Sequence, residues 1–227
     1  MRTSAMGPVR VLLPALCLLL LGCPQQDAGE VEVVDQPVQQ PEADRERTDT
    51  DADADRDRFR MEVHLSDREL RVMRGDSVVE THPVTIGEED HRTPTGRFEI
   101  ERVIWNPEWI PPPDSEWAED RERKEPGDPD NPLGRAQLIF DRPHSIHGTD
   151  ELDRLGEAAS HGSIRVANEV VVELARKAME EGGESRPDEW FDEVDEDRTD
   201  RRVVVLSRPI PLRIFNGDGD PDPDADS

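Results

Sequence analysis

The segment Ile146-His147-Gly148-Thr149, continued by Leu155-Gly156, Ser160-His161-Gly162-Ser163-Ile164-Arg165 and Asn168, places two histidines directly before glycines. Neither the period of a strand nor that of a helix requires such pairing. Glycine next to a reactive side chain lets backbone approach a substrate carbonyl and lets N–H groups face a developing oxyanion. A hydroxyl beside such a turn, with an imidazole in reach, is the residue set that acyl transfer uses. His-Gly pairs also occur in ordinary turns, so the flanking sequence has to support the chemistry.

Upstream, Met61-Glu62-Val63-His64-Leu65 alternates, Ser66-Asp67 interrupts it, and Glu69 to Met73 resumes before the turn Arg74-Gly75-Asp76. Val78 to Ile86 is again extended, which predicts three antiparallel strands. Arg97 to Trp105, Ala136 to Phe140 and the short His144 to His147 add strands, the last followed by turn chemistry at Gly148-Thr149. Asn168 reads as the N-cap of a helix through Glu181, with Val172, Ala175 and Met179 among its apolar positions and Gly182-Gly183 as its stop. Pro187 to Asp200 reads as acidic loop, and Arg202 to Leu206 with Leu212 to Phe215 as one or two closing strands. The expected fold is mainly β with one substantial helix.

The ends have a different character. Arg2 and Arg10 precede the apolar run Val11 to Leu21, too short for a comfortable membrane span and matching a secretory signal over residues 1–22. Leu20-Leu21-Gly22-Cys23 is similar to the lipobox of bacterial lipoproteins, which implies lipidation at Cys23 and, with Pro24 after it, an outer-membrane anchor facing the periplasm. An ordinary signal peptide is the alternative. Residues 23–59 are Gln, Pro, Asp, Glu and Arg with few large apolar side chains, and residues 216–227 are similar. Neither segment offers enough apolar surface to offset its ordering entropy, so both read as acidic disordered appendages to a domain at 60–215. The whole chain has 54 acidic against 28 basic residues, a formal charge of -26, which argues against nucleic-acid binding.

Beyond the two His-Gly pairs, Thr93-Pro94-Thr95-Gly96 before Phe98, Asn106-Pro107-Glu108-Trp109 with Pro111, and Asn131-Pro132-Leu133-Gly134 occur in order. Together with the IHGT and SHG-x-I-R segments they resemble the L,D-transpeptidase catalytic domain (YkuD-like) over roughly residues 60 to 215. The resemblance implies an L,D-transpeptidase-like β-sandwich or barrel acting on peptidoglycan stem peptides. In that family a cysteine attacks the carbonyl of the third stem residue, usually meso-diaminopimelate, D-Ala leaves, and an amine of another stem or of a wall-linked protein takes the acyl group. Carried over to this chain, His147 is the proton acceptor and Ser163 holds the nucleophile position. His161 and Arg165 shape the site, and Gly148, Thr149, Ser160 and Gly162 form its substrate-binding and oxyanion surroundings.

Ser163 departs from the family's cysteine. A hydroxyl needs concerted proton removal by an aligned base, whereas a thiol is partly ionised near neutrality. The only two cysteines cannot replace it on the lipoprotein reading, since Cys17 leaves with the signal and Cys23 is acylated. Three readings stand at this point: a working acyltransferase or Ser-dependent L,D-carboxypeptidase, a pseudoenzyme that binds wall peptides or a partner, or histidines that are merely satisfied turn residues. No cofactor is expected. No metal set is expected either, because three positions along a strand put His144 and His147 on opposite faces and no HExxH pattern is present. Trp105, Trp109 and Trp117 either line a groove or pin a loop, and His64, His82 and His91 read as ordinary surface or turn residues.

Overall fold

In the computed structural model, which describes residues 58–113 and 115–217, the predicted opening meander is present. The proposed signal, Cys23, nearly all of the tether and most of the tail lie outside the described residues. Strands β1 (Phe59–His64), β2 (Glu69–Arg74) and β3 (Ser77–Pro83) pair antiparallel in succession. The expected strand to Ile86 ends early at Pro83. Val84 turns into the core and Thr85 leaves the ladder, and β4 (Ile86–Gly87) pairs in parallel with the short β8 (Ala158–Ser160).

Strand β5 (Gly96–Trp105) runs antiparallel to β10 (Arg202–Phe215), and β5 continues into β6 (Ala136–Asp141) and β7 (His144–Thr149). The two possible closing strands form one strand instead. Its pairing register shifts between Val205 and Ile210, around Pro209, which cannot donate to a ladder. Strand β9 (Ile164–Ala167) lies parallel to β7, and β1 lies parallel to β10, giving the eight-strand order β3-β2-β1-β10-β5-β6-β7-β9. Reciprocal bonds of 2.9 Å between Thr85 and Arg165 backbone bring the segment after β3 against the β9 edge, so the sheet curls toward closure. This is the mainly β architecture expected.

Helix α1 (Asn168–Glu181) buries Val171, Leu174, Ala175, Ala178 and Met179, the spacing of one helical face, with Val172 half-buried at its edge. That face covers Ile146 and Leu138 of the sheet. Each large apolar side chain so enclosed contributes about 1.5 to 3 kcal/mol relative to exposure. Asn168 is not the N-cap: Ala167 holds that position, and Asn168 is buried as the first helical residue. Its Oδ1 accepts from Arg135 N at 2.9 Å and its Nδ2 donates to Asp150 at 2.8 Å, so it ties the entry to β6 to the exit from β7.

The expected acidic loop from Pro187 to Asp200 instead contains a second, shorter helix, α2 (Asp188–Glu196). Among its carboxylates Trp190, Phe191 and Val194 face inward, and both rings pack edge-on against the fully buried Trp105. Acidic residues in its first turn suit the positive end of the helix dipole. Asn106 fastens the far end of this helix: its Nδ2 donates to the carbonyls of Val194, Asp197 and Asp200, and its Oδ1 accepts from Arg198. Its φ of 47° lies in the left-handed region that Asn tolerates better than most side chains. Asn106→Ala therefore removes the donor to the buried Val194 carbonyl and leaves Ala in a left-handed backbone, and urea unfolding is expected to show a loss of about 2 to 3 kcal/mol at unchanged m.

Candidate active site

In the parallel pairing of β7 with β9, Ile146 faces Ile164 and His147 faces Arg165. The register continued by one residue sets Ser163 beside Ser145, and Ser145 N–H donates to Ser163 Oγ at 3.3 Å. Ser145 and His147 are two positions apart and share a face of β7, as Ser163 and Arg165 do along their segment. Ser163 and His147 are thus diagonal neighbours opening on one cleft of about 680 Å³, which Arg165 and His161 also line.

His147 is buried, and its Nδ1 lies 3.0 Å from the Gly148 carbonyl. A carbonyl only accepts, so Nδ1 carries the proton and Nε2 keeps its lone pair. Burial pulls the imidazole down from 6.5 to about 4; the Gly148 bond opposes this and Arg165 adds to it. The ring is therefore neutral near pH 7, the state a general base requires. The folded value lies below the unfolded one. Stability from this group is complete above pH 6.5 and is lost as pH falls toward 4, because the unfolded chain then binds a proton that the folded chain refuses. Chemical unfolding should show wild type losing about 2 kcal/mol between pH 7 and pH 5 that His147→Gln does not lose.

The loop bearing Ser163 is held by its own residues. Ser160 Oγ–H donates to the Ser163 carbonyl at 2.5 Å, while Gly162 has a φ of +101° and a Cβ there would meet the His144 ring at 2.8 Å. Ser160 and Gly162 act as positioning residues. Arg165 pairs with Glu151 at 3.0 Å, its guanidinium is pulled below its ordinary value chiefly by burial, and its buried Nε has no hydrogen-bond partner among the described residues. Partial burial, with His91 beside it, also holds the His161 imidazole below its ordinary range.

Three expected site residues, Gly148, Thr149 and Gly162, do not line the cleft. Gly148 packs toward α1, where an added Cβ would fall 2.1 Å from Asn168 Oδ1. Thr149 Oγ1 accepts from Glu151 N at 3.1 Å, so it reaches the site only by holding the turn that carries Arg165's partner. Gly148 lies on the helix-facing side of β7, whereas Thr149 shares the face of His147 but ends the strand, where the following turn takes up its hydroxyl.

The far wall of the cleft comes from the segment between β5 and β6. Trp109 exchanges backbone bonds of 2.9 Å with Lys124, and Trp117 stacks on His161 at 3.9 Å and 16°. Trp109 and Trp117 thus line the groove, whereas Trp105 is a core residue whose indole N–H meets Met179 Sδ at 3.2 Å. Reading the sequence missed Ser145, Arg121 and His91, all of which line the cleft. The loop that carries His91 is closed by Thr93 Oγ1 accepting from Gly87 N at 2.9 Å.

The chain is similar to the Bacillus subtilis protein named L,D-transpeptidase YqjB, 32% identical over 118 residues, 49% of this chain and 61% of that protein. It is also similar to the Salmonella typhimurium protein named L,D-transpeptidase ErfK/SrfK, 32% identical over 62% of this chain and 41% of that protein. The chain therefore spans about half the length of these relatives. Among solved structures, the catalytic domain of the E. faecium L,D-transpeptidase superposes with a TM-score of 0.44 and 16% identity, covering 70% of this chain and 98% of that one. Residues 58–205 match the model of the L,D-transpeptidase catalytic domain, YkuD, so the chain belongs to that family.

Proposed function

We propose that this chain is a peptidoglycan acyltransferase in which Ser163 performs the attack that a cysteine makes elsewhere in the family. The observation that supports this most is the neutral, buried His147, with Nδ1–H committed to Gly148 and Nε2 free to accept, sharing a cleft with the Ser163 hydroxyl. Because the Ser145 amide donates to Ser163 Oγ, the Ser163 proton is available for donation elsewhere.

Ser163 Oγ attacks the carbonyl carbon of the third stem residue, and its proton moves to His147 Nε2. Collapse of the tetrahedral intermediate breaks the amide bond, and D-Ala leaves with the proton from His147. The resulting ester is attacked by an amine whose proton passes through His147 back to Ser163 Oγ. If water takes the amine's place, the product is a free tripeptide and the enzyme a carboxypeptidase. The Arg165 guanidinium, with its unpartnered Nε, supplies positive potential for the developing oxyanion or a stem carboxylate. The test is incubation of purified protein with wall tetrapeptide followed by mass spectrometry. Release of D-Ala supports the proposal, and intact tetrapeptide bound without turnover leaves a binding module instead.

We further propose export and lipidation at Cys23, with anchoring to the outer membrane on its periplasmic side, as the Leu20-Leu21-Gly22-Cys23 segment supports. Cys23→Ala is expected to move the protein from the membrane pellet to the soluble fraction. Retention in the pellet would contradict the anchor.

A further inference from the structure

Among the described residues, Glu88, His91 and His161 bring one carboxylate oxygen and two imidazole nitrogens within 4.8 Å of one another. Glu88 Oε1 is 3.2 Å from His91 Nδ1 and 3.7 Å from His161 Nε2. Tetrahedral zinc with ligands at about 2.0 to 2.1 Å sets those ligands about 3.3 Å apart. Two of the separations are therefore near what a bound ion needs, and the third closes by a small rotation of the half-exposed His91 ring.

The backbone beneath these side chains is fixed. Glu88 N–H donates to the Ser160 carbonyl, next to His161, and His91 N–H donates to the Glu88 carbonyl, both at 3.0 Å. The His161 ring is held from behind by Trp117 and meets the His91 ring edge-on with centroids 4.8 Å apart. Two imidazoles and one carboxylate suit a borderline transition ion better than a hard one.

We propose that Glu88, His91 and His161 form a site for a divalent cation of the zinc type at the mouth of the cleft. The remaining coordination position belongs to water or to a group of a molecule in the cleft. An ion here fixes the His161 ring and, through stacking, Trp117. This site is independent of turnover at Ser163.

The test is calorimetric titration of ZnCl2 into the metal-free full chain, with millimolar Mg2+ present to occupy the carboxylate-rich ends. The expected result is one saturable site, weakened about tenfold or more in His91→Ala and in Glu88→Gln, and unchanged in His82→Ala, a histidine of β3 paired with Glu80. In imidazole nitrogen NMR spectra the His91 and His161 resonances should shift on zinc addition while those of His64 and His82 stay in place. Circular dichroism of each variant confirms that it is folded. Zinc affinity in His91→Ala within about twofold of wild type, or zinc uptake that Mg2+ abolishes, would overturn the proposal and assign the ion to the acidic ends.

Discussion

Ser163→Ala is expected to abolish D-Ala release from wall tetrapeptide, a loss on the order of 10⁴-fold or more, with peptide binding retained. The substitution removes one oxygen at a position that accepts a single backbone bond from Ser145, so the fold has little reason to respond. Ser163→Cys is the informative companion. A thiol ionises far more readily than a hydroxyl, so this variant should release D-Ala faster than the natural chain. A Cys variant slower than wild type would mean that the cleft has reshaped around oxygen.

His147→Ala is expected to lower the rate by 10² to 10⁴-fold in the Ser163 background. His147 is the imidazole whose Nδ1–H is committed to Gly148, which leaves Nε2 to take the hydroxyl proton. In the Ser163→Cys background the same change should cost less, because a thiolate forms without concerted proton removal. The two substitutions are therefore coupled, and the coupling in a double-mutant cycle measures how much of the base's work is specific to oxygen. Additive effects would mean that His147 only supports the strand. A structural role alone would also shift KM and urea stability together, whereas loss of a base falls on kcat.

Much of this site was legible because its chemistry sits in contiguous residues. His147, Ser160, Gly162, Ser163 and Arg165 occupy two short segments whose order implies proximity, and β7 and β9 pair as that order requires. What the residues could not reveal was which face each would take. Gly148 and Thr149 look like oxyanion surroundings beside His147, yet strand alternation turns Gly148 toward α1 and Asn168, and Thr149 gives its hydroxyl to the turn at Glu151. His91 was passed over because it is distant in sequence from His161. The parallel pairing of β4 with β8, a ladder of only two registered pairs, brings them together. Helix α2 was hidden by its composition: three apolar side chains among acids look like solvated loop until Trp105 is seen to cover them. The sheet's outer elements were easier, because alternation and turn residues mark β1 to β3 locally.

On the proposed mechanism Ser163 forms a covalent bond with the acyl group of a wall peptide. Incubation with tetrapeptide in the absence of any acceptor amine, acid quench and intact-mass measurement test it directly. The account predicts a mass increase equal to the tripeptide acyl group less the displaced proton, mapped to the peptide containing Ser163, with stoichiometric D-Ala and no adduct in Ser163→Ala. Tetrapeptide that binds but stays intact, with neither adduct nor free D-Ala, would contradict it.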